Sequence, residues 1–177
     1  MISVKSNTDL EKLRAAGRIA GRALKLAGES VRAGMTTKEL DKIVHDYIVS
    51  CGATPSFLGY GGFKGSACIS INNEVIHGIP SSKRKIADGD IVSVDVGAYY
   101  NGFHGDTCAT FAVGHISDEA KKLLEVTEAS LYAGIDAAVV GARMGDVSHT
   151  VEEYCVSRGY AVVKQYCGHG IGRELHE

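Results

Sequence analysis

Apolar and polar residues alternate along two neighbouring stretches of this chain, with Asn101-Gly102 between them. Together they read VSVDVGAYYNGFHGDTCATF, from Val92 to Phe111. Alternation with period two marks strands. Asn-Gly between two strands predicts a tight hairpin, because a type I′ turn needs positive φ at both central residues. A two-residue turn pairs Tyr100 with Phe103. Asp95 then falls opposite Cys108, and Asp106 opposite Gly97. Asp95, Asp106 and Cys108 share one face, with the two carboxylates as diagonal neighbours about 7–8 Å apart between backbones.

The period changes elsewhere. Thr8-Asp-Leu-Glu11 reads as a capping box, followed by helical spacing through Leu10, Leu13, Ile19, Ala20, Ala23, Leu24 and Ala27. Thr36-Thr-Lys-Glu39 is a second box, opening a helix through Leu40, Ile43, Val44, Tyr47 and Ile48 that Gly52 ends. Residues 53–66, rich in glycine and aromatics, predict a loop. Ala67–Ile71 and Glu74–Ile79 predict strands around Asn72-Asn73, and Asp88-Gly89-Asp90 predicts a turn. Ser117 caps a third helix, a fourth runs from about Asp146 to Arg158, and Tyr160–Cys167 is β-rich.

An internal repeat runs beneath this pattern. A shift of 107 residues lays Leu24 on Leu131, Gly34 on Gly141, Val44 on Val151, Tyr47 on Tyr154 and Gly52 on Gly159. Each copy reads helix, glycine connection, helix, glycine, strand. The halves divide at about residues 1–113 and 114–177. The second copy stops short of any counterpart of Asp95, so the expectation is one catalytic domain shortened at its C-terminal end.

Composition narrows the function classes. The chain has 177 residues, is 45% hydrophobic and 23% charged, and has a net charge of −2. That balance suits a globular protein and gives no electrostatic case for specific nucleic-acid binding. Lys83-Arg84-Lys85 reads as a solvated turn, with ribosome contact as the functional alternative. No apolar run reaches the ~18 residues of a membrane span, and no signal-peptide pattern opens the chain. Five cysteines without a C-x-x-C suit a reducing cytoplasm.

The hairpin carries the candidate chemistry. Two carboxylates on one face repel unless something neutralises them, and no Lys or Arg occurs from Ile86 to Thr110. A metal, or two metals about 3.5–4 Å apart, would do so. A solvated face with unrelated aspartates is the plain alternative. Three histidines add donors beside glycine or acid: His77 in VIHGIP, His169 in GHGIG and His176 in ELHE. Imidazole with carboxylate suits manganese, iron, cobalt or zinc. His104-x-Asp106 with His169 would also supply a 2-His-1-carboxylate iron oxygenase, but that site needs only one carboxylate.

The motifs LGYGGF, SACISINNEVIHGIP, DGDIVSVDVGAYYNGFHGDTCATF and YCGHGIGRELHE together resemble the bacterial type I methionine aminopeptidase family, over essentially the whole chain. The resemblance implies an α+β pita-bread (creatinase-like) fold. Its two pseudo-symmetric halves place helices outside a curved antiparallel sheet, with the closing C-terminal strands missing here. It implies a dinuclear metalloenzyme that takes the initiator methionine from nascent chains and peptides. Asp95, Asp106 and His169 match three of the family's five metal ligands, with Asp106 bridging. His77 and His176 match the catalytic histidines that contact the scissile peptide. Phe57, Tyr60, Phe63, Cys68 and Leu175 match the methionine pocket. Family members often carry Cys at Phe57, Tyr at Phe63 and Phe at Leu175. Two glutamate ligands, one of them the general base, belong to a segment beyond these residues, so this chain alone is expected to be a poor enzyme. The resemblance further implies two divalent ions, a cytoplasmic location and a monomer when complete. A same-fold X-Pro peptidase and a non-catalytic peptide-binding relative are the alternatives.

Overall fold

The computed structural model describes residues 3–177. Helix α1 spans Asn7–Ser30 and α2 spans Thr37–Ser50; a short β1 (Thr54–Pro55) and a 3-10 turn (Tyr60–Gly62) follow. Strands β2 (Ala67–Ile71), β3 (Ile91–Tyr100) and β4 (Phe103–Ala112) come next, then helices α3 (Asp118–Ala137) and α4 (Met144–Val156). Two compact units emerge. One runs to Ile116 and takes in His169–Glu177 again; the other is Ser117–Gly168.

β3 is the central strand of the first unit. Its whole length pairs with β4, and its other edge pairs with β2 and, at Ala98 and Tyr99, with β1. The hairpin register is the expected one: Tyr100 faces Phe103, Asp95 faces Cys108 and Gly97 faces Asp106. Asn101 and Gly102 both take positive φ, at 51° and 86°. Val92, Val94, Val96 and Ala98 are buried on one face, where they meet Ala20, Ala23, Leu24 and Ala27 of α1 and Leu40, Val44 and Ile48 of α2. The opposite face is left for the site.

Three sequence expectations are corrected. The first helix starts earlier, with Ser6 rather than Thr8 as its cap. Asp9 N–H donates to Ser6 Oγ, and Ser6 N–H donates to Asp9 Oδ2. Both quartets offer the same capping chemistry, and the earlier one adds residues to the helix at little entropic cost. Glu74–Ile79 is not a strand. His77 sits at φ 59°, and Ile69 N–H reaches Gly78 C=O at 2.8 Å as an isolated crossing of the β2 edge. Tyr160–Cys167 is irregular, because no strand among the described residues pairs with it and strand propensity needs a partner.

The second unit packs α3 on α4. A Cβ at Gly134 would stand 2.7 Å from Val151 Cγ2, so that crossing requires glycine. The repeat persists in the elements. Ser30 and Ala137, the last residues of α1 and α3, stand 107 positions apart, as do Thr37 and Met144, the first of α2 and α4. Gly34 and Gly141 both have positive φ, as do Gly52 and Gly159.

Candidate active site

Strand alternation delivers the chemistry to one face. Ser93, Asp95, Gly97 and Tyr99 point away from the helices, and the register adds His104, Asp106, Cys108 and Thr110 from β4. β2 contributes Cys68 directly beside Asp95. Below the carboxylates, Ser93 and Thr110 hydrogen-bond each other at 2.8 Å, which closes that end of the face.

A cavity of about 500 Å³ opens over this face. Around it stand Phe57, Tyr60, Phe63, Cys68, His77, Asp95, Asp106, His169, Leu175 and His176, so the structure brings every candidate residue together. Gly61, Gly62 and Ile79 also line it. The sequence offered signals for these three: a glycine-rich loop, and an apolar residue two positions after His77. His104 stands apart from this lining. Its Nδ1 lies 2.9 Å from Ser56 Oγ and its ring sits 4.6 Å from Tyr99.

The cavity has an apolar end. Phe57, Cys68 and Leu175 form a buried cluster with Phe63 packed against it. Phe57 comes this close because position 97 is glycine; a Cβ there would stand 2.7 Å from its ring and from Ser56 Cβ. Burial, followed by the charges of Asp95, Cys108 and Asp106, pushes the Cys68 thiol up to about 12. Cys68 therefore stays a neutral, polarisable wall.

The other end is anionic. Asp95 and Asp106 are diagonal neighbours on this face, where like charges repel. Burial, then the charge of Asp106, holds Asp95 far above the ordinary carboxylate range. Burial likewise raises Asp106, opposed first by His169. No Lys or Arg is among the residues lining the cavity. His169 Nδ1 lies 2.9 Å from the Gly170 carbonyl, which only an N–H there can satisfy. In the neutral ring this leaves the Nε2 lone pair facing Asp106 Oδ2 at 3.9 Å, and a backbone carbonyl on the far nitrogen is the usual support of a ligating imidazole. Among the described residues, no three His, Cys, Asp or Glu side chains converge into a closed metal cage. The donor set fits a divalent metal in type, and the carboxylate pair is its core.

The two remaining histidines border the carboxylates. His176 packs edge-on to His169, with ring centroids 4.4 Å apart, and its Nδ1 lies 2.9 Å from the Tyr60 hydroxyl. His77 is exposed on the connection between β2 and β3.

Comparison with known proteins places this geometry. Residues 11–177 match metallopeptidase family M24. A methionine aminopeptidase of Clostridium acetobutylicum is 51% identical over 177 residues, all of this chain and 71% of the relative. Methionine aminopeptidase 1 of Bacillus subtilis is 48% identical with the same coverage. The crystal structure of methionine aminopeptidase from Rickettsia prowazekii matches with a TM-score of 0.97 at 38% identity, covering 100% of this chain and 71% of that one. Prolidase from Pyrococcus furiosus matches at 0.88 with 26% identity, over 98% of this chain and 50% of that one. Among the described residues, no helix is long and apolar enough to cross a membrane.

Proposed function

The chain belongs to metallopeptidase family M24 and has its pita-bread fold, and on that premise we propose that it removes the N-terminal methionine from peptides and proteins. The observation that carries the reading is one cavity with an apolar end and a carboxylate-histidine end, in a chain about half identical to methionine aminopeptidases. A methionine side chain matches the first end: Phe57, Phe63, Cys68 and Leu175 offer an uncharged, polarisable lining to an unbranched thioether.

Asp95, Asp106 and His169 would hold the divalent metal, two ions on this reading, drawn from cobalt, manganese, iron or zinc. When bound, the metal supplies a Lewis acid and a water of lowered pKa. The protein's own groups do the rest. If the Tyr60 hydroxyl donates to His176 Nδ1, the imidazole proton sits on Nε2, where it can be given to the developing oxyanion. His77, which also lines the cavity, would help position the scissile amide. The apolar cluster excludes water from the side-chain end and sets the register of the substrate. The substrate is a nascent chain or peptide N-terminus. Exposed Lys83 and Lys85 would serve a transient ribosome contact, which should weaken steeply with salt.

The test, made on a chain extended to the length of its relatives, is hydrolysis of a Met-Gly peptide with Mn²⁺ or Co²⁺ present. Hydrolysis should stop on addition of EDTA and in Asp106→Ala. Full turnover by Asp106→Ala in EDTA would remove the reading. The Pyrococcus prolidase likeness keeps an X-Pro peptidase as the second reading, which a panel of Met-Gly against Met-Pro peptides separates.

A further inference from the structure

Three of the site residues, His169, Leu175 and His176, come from a segment without regular structure. Something other than a helix or strand must therefore hold them in place. Gly172 C=O accepts from His104 N–H of β4 at 2.8 Å. Within the segment, Gly172 N–H donates to Glu174 C=O and Glu177 N–H to Gly170 C=O, both at 3.0 Å. These bonds shape a loop, but only one of them ties it to the sheet.

A second tie reaches the first turn of α1. Arg173 Nη2 donates to Asp9 Oδ1 at 3.0 Å, while its guanidinium carbon lies 4.7 Å from the Phe103 ring centroid. Phe103 is fully buried, so this face of the clamp is rigid. Asp9 is also anchored, because its other oxygen accepts from Ser6 in the capping box. Lys5 pairs with Glu177, whose carboxylate in turn accepts the Arg173 N–H at 2.8 Å. A planar guanidinium can stack on a ring and donate in its own plane at once, which an ammonium cannot.

We infer that Arg173, held between Asp9 and Phe103, is a positioning residue that seats Leu175 and His176 in the cavity wall. The first turn of α1 thus acts on the methionine pocket without lining it. Asp9, Arg173 and Phe103 are absent from the cavity lining, so any effect of changing them on substrate passes through the segment. The inference rests on the aminopeptidase reading for its kinetic consequence but not for its structural one.

Arg173→Gln, Asp9→Asn, the double variant and Arg173→Lys are compared in the metal-loaded protein by steady-state kinetics and by hydrogen exchange. Losing the clamp should raise KM for Met-Gly peptides through Leu175 and lower kcat through His176, so that kcat/KM falls about fivefold or more. The double variant should lose less than the sum of the two single variants, because both break the Arg173–Asp9 bond. Arg173→Lys should recover part of the loss. Amide exchange over residues 170–177 should quicken in Arg173→Gln and Asp9→Asn, with α2 and β3 unchanged. Fully additive effects in the double variant, or unchanged exchange at 170–177 in Arg173→Gln, would overturn the inference. Absence of turnover in the unmodified protein extended to the length of its relatives would instead overturn the aminopeptidase reading, and the exchange measurement would still decide the clamp.

Discussion

Asp41 shows how one residue ties two elements together. It is 3% exposed, and its Oδ1 accepts from the N–H groups of Ser66 (2.6 Å) and Ala67 (3.0 Å), where β2 begins. Lys38 holds its other oxygen at 2.7 Å. Asp41→Ala leaves two buried donors without a partner. We expect a loss of about 2–4 kcal/mol in chemical denaturation, given about 1–3 kcal/mol per unsatisfied buried group. Asp41→Asn keeps a carbonyl acceptor and should lose clearly less. In the sequence this residue is an ordinary polar position on a helix; only its depth reveals it. Cys68 differs, since alternation within Ala67–Ile71 already set it beside Asp95 once the strand pairing was known.

At the scale of elements, caps and turns carry signals that short-range chemistry makes readable. Glu39 closes the second capping box, accepting from Thr36 N–H and its hydroxyl, both at 2.7 Å. The backbone bond first, and then the hydroxyl bond, hold its carboxyl below its ordinary value of 4.5. A lowered folded pKa stabilises fully above that ordinary value and is lost as pH falls through the folded one. The difference in melting temperature between the protein and Glu39→Gln should therefore be constant near neutrality and shrink below pH 4.5. The hairpin turn offers a second test. Gly102 sits at φ 86°, so Gly102→Ala should cost about 1–2 kcal/mol by denaturant titration, the cost of a left-handed L-residue. The register should persist, because ten residue pairs hold it.

For the whole molecule, the apolar end of the cavity should decide what is cleaved. An uncharged wall of Phe57, Phe63, Cys68 and Leu175 gives a lysine or glutamate side chain no partner. Peptides beginning with Met should be turned over at least about a hundredfold better than Lys-Gly or Glu-Gly peptides, about 2.7 kcal/mol of discrimination. Equal turnover of Met-Gly and Lys-Gly would show that these residues do not form the specificity pocket.

Local pattern alone determined the hairpin, its register, the shared face of Asp95 and Asp106, the second helix with its cap, and the offset repeat. All of these depend on neighbours within a few residues or on a strict period, which sequence records directly. Tertiary structure decided the rest. Glu74–Ile79 and Tyr160–Cys167 have strand-like composition, yet neither is a strand, because pairing depends on what lies alongside. Ser6 prevailed over Thr8 as the first cap, where two quartets offered the same chemistry. The gathering of His77, His169, His176 and Leu175 with the hairpin carboxylates is a matter of long-range closure. Residues 169–177 follow an excursion of 52 residues, Ser117–Gly168, before returning to β4 and α1. No spacing rule spans that distance; bonds such as His104 N–H to Gly172 C=O and Arg173 to Asp9 exist only once the chain has folded.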